Sequence, residues 1–139
     1  MTARKKSVTT PRSEARLYLA KAQQFAVEAS TAVSGSRNDA AMLNAVHAAI
    51  TATDAMCVAL GGRRSADPDH QRAADLLQEI GAASPGLTSH VRQLRMLIAK
   101  KNVVEYESRK ATAKEAREAV QRAQRLVSWA TEILDAARL

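Results

Sequence analysis

Apolar residues recur at intervals of three and four along almost the whole chain, and alanine supplies 29 of its 139 residues. This spacing places apolar side chains on one face of a helix. Alanine combines the highest helix propensity with little bulk. Only five Gly and three Pro are present, too few for the turns of a many-stranded sheet. The sequence therefore predicts an all-α protein whose helices pack closely side by side.

The apolar pattern divides into five helical segments joined by short links. These segments begin near Pro11, Ser36, Pro68, Leu87 and Thr112. Short links favour antiparallel neighbours, so we predict an up-and-down antiparallel bundle, with residues 11–139 as a single domain. Residues 1–10 are basic and carry no apolar stripe, and we expect them to form a disordered basic tail.

Local signals define two of the helix starts, and Gly61-Gly62 is predicted to end the second helix. Asp67 precedes Pro68, an order typical of an N-cap followed by a first-turn proline. Thr112 and Glu115 have the spacing of a capping box, in which each side chain accepts a hydrogen bond from the other residue's backbone N–H. The fourth helix is predicted to run to about Lys101, and residues 102–111 to form a connection without a sustained stripe.

The chain is basic, with 21 Lys and Arg against 14 Asp and Glu and a formal net charge of +7. Such an excess raises the local concentration of polyanions, so RNA or a nucleotide is a natural partner. The alternative is that these cations form only a solvated surface. Both interpretations remain open at this point.

The single cysteine, Cys57, excludes an intramolecular disulfide and fits a reducing compartment. It lies within an apolar helix, so we predict a buried, inert thiol. No apolar run reaches 18 residues, and the basic start of the chain is not followed by an apolar segment. We therefore expect a cytoplasmic protein with no membrane contact.

A polar stripe interrupts the second predicted helix. His47, Thr51 and Asp54 are spaced four and three residues apart and share one face. In a functional interpretation they line a cleft in which His47 titrates near neutral pH and Asp54 orients it. In a structural interpretation they satisfy their hydrogen bonds within the bundle. Asp54 is expected to meet a cation such as Arg95 or Lys101.

Cations concentrate in the fourth helix and the segment that follows. They are Arg92, Arg95, Lys100, Lys101, Arg109 and Lys110. Tyr106 lies just beyond them, and an aromatic ring beside Lys or Arg can stack a nucleobase. We predict a binding surface at Arg95, Lys100, Lys101 and Tyr106, to which His47 and Asp54 contribute from the second helix. The alternative is that these residues only form a solvated surface, because a single aromatic ring offers little area for stacking nucleobases.

Three local patterns carry a family resemblance. The apolar pattern of residues 45–55, the Gly61-Gly62-Arg63 link before a short helix, and Lys101-Asn102-x3-Tyr106 after the fourth helix occur in that order. Together, over about residues 13–137, they resemble the HEPN superfamily. These are small helical bundles that often carry Arg-x4–6-His ribonuclease motifs. In active members, the resemblance implies, the Arg and His of two protomers meet across a dimer cleft and cleave RNA.

Carried over to this chain, Lys101 stands in place of the motif's Arg, Asn102 matches its polar residue, and Tyr106 stands in place of its His. Lysine cannot reproduce the bidentate grip of Arg on phosphate. Tyrosine titrates near pH 10 and is a poor acid or base at neutral pH. We therefore predict a module that is non-catalytic or weakly active and, as the resemblance implies, a homodimer. Its weak catalytic candidates are Lys101, Asn102 and Tyr106.

Two alternatives use other residues. A ribonuclease or toxin-like effector could use a rearranged site, for which Arg64-x5-His70 has the required spacing, although one such match is expected by chance. A pure interaction protein could present Leu126, Trp129 and Ile133 of the last helix to a partner chain. No sequence motif for a metal ion or a cofactor occurs, so neither is expected.

Overall fold

The computed structural model describes residues 6–139, and within them the chain is an all-α bundle with one short two-stranded ribbon. The helices are α1 (Ala15–Ser34), α2 (Asn38–Gly61), α3 (Gln71–Ile80), α4 (Leu87–Tyr106) and α5 (Ala113–Ala136), and a 3-10 turn at Arg12–Glu14 precedes α1. The strands are β1 (Ser7–Thr9) and β2 (Arg63–Ser65). The predicted fold class is confirmed.

The central helix is α2, which packs against each of the other four helices. It is apolar on most sides, apart from the face that carries His47, Thr51 and Asp54, and small alanines let its neighbours approach closely. Met42 and Met56 are fully enclosed and fill the irregular spaces that the alanines leave. By length and composition α2 could also cross a membrane, but 67% of its most apolar window is buried inside the bundle, as in the core helix of a globular domain.

Two helix ends follow the predicted signals. Gly62 takes a left-handed conformation (φ +64°) after α2, and its N–H donates to the Val58 carbonyl. Thr112 and Glu115 form the complete capping box at the start of α5, with both reciprocal hydrogen bonds present. The sequence alone therefore located the end of the most buried helix and the start of the last one.

The predicted disordered tail is wrong for residues 7–9. Ser7 pairs with Ser65 and Thr9 with Arg63 in an antiparallel ribbon, and the Thr10 N–H donates to the Gly62 carbonyl at 2.9 Å. Hydrogen bonds between backbone groups order this segment. Because such bonds do not depend on the side chains, the basic composition of the segment did not indicate a strand. Residues 1–5 of the predicted tail lie outside the described residues.

Two predicted boundaries are also corrected. The third helix begins at Gln71 rather than Pro68, because Asp67 and Asp69 accept hydrogen bonds from backbone N–H groups two residues ahead and form turns there. The fourth helix continues through part of the predicted connection to Tyr106. A Lys101–Glu105 ion pair of 3.0 Å and the buried Val103 support that extension.

The predicted interaction face of the last helix is not exposed. Leu126 is fully buried, Trp129 is 6% exposed, and Ile133 packs partly buried against the core. The Trp129 ring stacks on the His90 ring, with 4.0 Å between centroids and 11° between planes. These side chains pack in the α4–α5 junction, so the face is much less exposed than the sequence predicted.

Candidate functional site

An open cleft of about 350 Å³ lies where the second half of α4 faces the loop before α3. We call it the α4 cleft. Its lining residues are Pro68, Asp69, His70, Gln71, Ile98, Ala99, Lys101, Asn102 and Tyr106. It contains all three residues that correspond to the degenerate motif, together with a histidine from a different segment.

The extra turn of α4 sets the geometry of the cleft. Lys101 and Asn102 are adjacent on the helix, and Tyr106 follows little more than one turn later, at the helix end. The Tyr106 side chain is 75% exposed, so its ring is open to contact from solvent. The Lys101 ammonium donates to Glu105 Oε2, and this hydrogen bond is the main cause that lowers the pKa of Glu105.

Two imidazoles lie within electrostatic range of Lys101. His47 reaches this region from α2, where its ring lies 5.7 Å from that of Phe25, and His70 lines the cleft from the loop. Burial lowers the pKa of both histidines, and the positive charge of Lys101 lowers it further. Glu105 opposes the shift in each case. The lowered pKa favours the neutral form of both rings, in which each ring has one N–H donor and one nitrogen acceptor.

The association of His47 with His70 was not predicted from the sequence. The two residues belong to separate segments, and only the packing of the loop against α2 and α4 brings their charges into mutual range. Arg64, the other half of the Arg64-x5-His70 spacing, has different neighbours. Its guanidinium lies 5.8 Å from the Tyr18 ring centroid and close to Asp54. The spacing match therefore does not describe a site.

Arg95, a predicted binding residue, has a packing role. Its guanidinium donates to Asp75 at 2.7 Å, to Gln78 at 3.0 Å and to Gln71 at 3.2 Å. The hydrogen bond to Arg95 is the largest cause that lowers the pKa of Asp75. Arg95 thus holds α3 against α4 and has little freedom to bind a ligand.

Other predicted cations are also paired. Lys100 lies 3.6 Å from Glu115, and Arg109 donates to the same carboxylate at 2.9 Å. The hydrogen bond from Arg109 holds the pKa of Glu115 far below its usual range. The basic surface predicted around α4 is therefore much less positive than a count of its cations indicates.

Asp54 does not meet either expected cation. It is largely buried, and the charge that favours its ionised form is Arg64 rather than Arg95 or Lys101. Burial outweighs that charge and raises the pKa of Asp54 to about 7. Arg64 Nε is buried without a hydrogen-bond partner among the described residues. Asp54 is also absent from the groups that shift the pKa of His47, so the predicted His47–Asp54 pair is not formed.

The remaining candidate chemistry is limited. Cys57 is buried and burial raises the pKa of its thiol, so the expected inert cysteine is confirmed. Within residues 6–139, no three His, Cys, Asp or Glu side chains converge in a way that could hold a metal ion. The lining of the α4 cleft thus offers one cation, one imidazole, one carboxylate, two amides and an exposed phenol, and His47 lies within electrostatic range of it.

Comparison with known proteins gives one match. The family model described as HEPN domain matches residues 15–134, which includes every helix except the last two residues of α5. Searches of the curated proteins and of the solved structures gave no significant match.

Proposed function

The chain belongs to the HEPN family, and from that premise we propose that it is a binding module that takes single-stranded RNA at the α4 cleft without cleaving it. The observation that carries the proposal is the convergence of Lys101, Asn102, His70 and the exposed Tyr106 ring on one open cleft. Each of these groups suits one part of a nucleotide.

The exposed ring of Tyr106 can stack on a base of the RNA without any rearrangement of the protein. A base stacked on an exposed aromatic ring contributes about 1–3 kcal/mol, and the contact tolerates any base because every base has a π-face. Asn102 can exchange hydrogen bonds with a base edge or a ribose 2′-hydroxyl. His70, whose lowered pKa favours the neutral ring, can act as a donor or an acceptor beside it.

Lys101 supplies the contact to phosphate. To bind a phosphate, its ammonium must give up part of its contact with Glu105. Its ammonium is bound to Glu105, and Asp69 adds a second acid to the cleft lining. Both carboxylates repel a phosphate. We therefore expect modest affinity and a salt dependence of the size expected for about one phosphate contact.

The same residues favour binding over catalysis. The position of the motif's Arg is held by a lysine, which offers a point charge instead of a planar fork. The position of its His is held by a tyrosine, whose hydroxyl keeps its proton at neutral pH. These residues are thus poorly suited to stabilise the charge that develops in the transition state of RNA cleavage. They can still stack on a base and contact a phosphate of bound RNA.

Replacement of Lys101 tests the proposal. Lys101→Gln keeps a polar side chain, one atom shorter, but removes the charge, so we expect several-fold weaker binding to a short single-stranded RNA at low salt. The slope of log affinity against log salt should fall by about 0.7, as for one lost phosphate contact. Fluorescence anisotropy across a salt series measures both quantities.

Lys114→Gln is the matched control, because Lys114 is an exposed lysine on α5 outside the α4 cleft. It should leave the slope unchanged. Equal losses in the two variants would mean that only net charge matters and that the α4 cleft is not the binding site.

A second candidate, a metal-independent endoribonuclease with a rearranged site, is favoured by one observation. His47 and His70 lie in the field of Lys101, and burial together with that charge favours the neutral imidazole, which can serve as a general base. Pure protein that cleaves labelled RNA in EDTA, and loses that cleavage in His70→Ala, would support it. RNA that stays intact with the wild-type protein excludes it.

A further inference from the structure

The α4 cleft has two walls, and an acid lies on one of them. Lys101, Asn102 and Tyr106 belong to the wall formed by α4, and Asp69 belongs to the facing loop before α3. Asp69 is the single carboxylate among the residues that line the cleft. A carboxylate repels the phosphates of RNA, so its chemistry suits another part of the nucleotide. That part is a base edge that carries N–H donors.

The Asp69 carboxylate is only partly used within the fold. Its Oδ1 accepts a hydrogen bond from the Gln71 N–H at 3.0 Å, which holds the side chain in a turn at the start of α3. Within residues 6–139, its Oδ2 accepts no hydrogen bond and the residue forms no ion pair. Because each carboxylate oxygen has two lone pairs, both can still accept a hydrogen bond from a ligand.

The two amides that line the cleft differ in their freedom. The Gln71 side chain is occupied by Arg95, because its Nε2 donates to the Arg95 carbonyl and its Oε1 accepts from the Arg95 guanidinium, each at 3.2 Å. The Asn102 side chain is exposed and has no hydrogen-bond partner in the described part of the chain. The cleft therefore presents a free acceptor on the loop and a free amide donor on α4.

Among the four RNA bases, guanine has the edge that complements this arrangement. Its N1–H and its N2 amino group are adjacent donors, and its O6 acceptor lies beside them. A carboxylate can accept both donors at once, one on each oxygen. Adenine and cytosine place a ring-nitrogen acceptor next to their amino group, and uracil places its N3–H between two carbonyls. These acceptors would face the lone pairs of the carboxylate.

We propose that the α4 cleft selects guanine in single-stranded RNA, with the base stacked on Tyr106, its N1–H and N2 amino group donating to Asp69, and its O6 accepting from Asn102. This inference rests on the proposed function and adds a base preference to a stacking contact that by itself tolerates any base. Two hydrogen bonds to one base edge discriminate by about fivefold to 150-fold. Because the cleft is open and water competes for the same groups, we expect the lower end of that range.

Fluorescence anisotropy with a set of short labelled RNAs tests the proposal. Each strand carries one variable base, guanine, adenine, cytosine, uracil or hypoxanthine (as inosine), at the centre of an otherwise all-uridine sequence. The guanine strand should bind about fivefold more tightly than the adenine, cytosine and uracil strands. Inosine retains N1–H and O6 but lacks the N2 amino group, so it should lose most of this advantage.

A pair of matched variants assigns the preference to one carboxylate. Asp69→Asn keeps the turn, because the amide oxygen can accept from the Gln71 N–H, but it replaces the free acceptor by a donor. It should bind all strands with similar affinity, and the all-uridine strand no more weakly than wild type does. Asp67→Asn removes the same charge from a turn of the same kind, in which Asp67 accepts from the Asp69 N–H at 2.9 Å, outside the cleft lining. It should keep the preference for guanine.

Several results would overturn the inference while the proposed function stands. They are equal affinity of the wild type for all strands, inosine bound as tightly as guanine, a preference for guanine that persists in Asp69→Asn, and an equal loss of preference in both variants. Absence of binding to every strand would instead contradict the proposed function, and the inference with it.

Discussion

Burial has the largest effect on the pKa of Asp54. It lies in the Ala-rich core helix, where lost hydration disfavours the carboxylate, and the nearby Arg64 does not restore the balance. In the folded protein its pKa is about 7, compared with an ordinary value of 3.8. Between these values the folded state holds a proton that the unfolded chain has released. Stability from this group is thus greatest at low pH and is lost as pH rises to about 7.

Replacement of Asp54 by asparagine should remove this pH dependence. We expect the stability of Asp54→Asn relative to wild type to increase between pH 4 and 8, by up to about 4 kcal/mol. Urea unfolding at several pH values measures the difference. The two histidines near Lys101 change charge in the same range in both proteins, so the difference isolates Asp54. Parallel stability curves would contradict the account.

At the residue scale, contacts made by tertiary packing could not be predicted from the sequence. The spacing of His47 and Asp54 placed them on one face of a helix, yet each meets a different neighbour. His47 is influenced by Lys101 and Asp54 by Arg64. Periodicity gives the direction in which a side chain points, but not the element that covers it.

Arg95 connects α4 to α3 through hydrogen bonds, and replacing it tests whether the residue serves packing or RNA binding. Arg95→Ala removes the hydrogen bonds that join α4 to Asp75, Gln71 and Gln78 of α3. Because these acceptors can be hydrated, we expect a loss of about 1–2 kcal/mol in the free energy of unfolding. RNA affinity of the folded variant should be unchanged. A large loss of affinity with normal stability would instead make Arg95 a binding residue, as the sequence suggested.

At the element scale, prediction succeeded where a local signal defines the structure. The Thr112–Glu115 capping box and the glycines after α2 involve only neighbouring residues, and both helix ends were predicted from them. The β1–β2 ribbon was missed because strands of three residues show no period, and their pairing joins segments more than 50 residues apart. The end of α4 was missed because residues 102–106 mix polar and apolar side chains without a stripe.

At the scale of the whole molecule, the number of cations along α4 overstates the positive charge of that surface. Much of the positive charge near α4 is neutralised by Asp75, Glu105 and Glu115.

The most direct test of binding without cleavage uses Tyr106. Wild type, Tyr106→Ala and Tyr106→Phe are incubated with a labelled single-stranded RNA in EDTA, and each sample is read for anisotropy and on a denaturing gel. We predict intact RNA in every sample, wild-type affinity for Tyr106→Phe, which retains the ring, and affinity at least about fivefold weaker for Tyr106→Ala. RNA cleavage by the wild type, or equal affinity of all three proteins, would contradict the account.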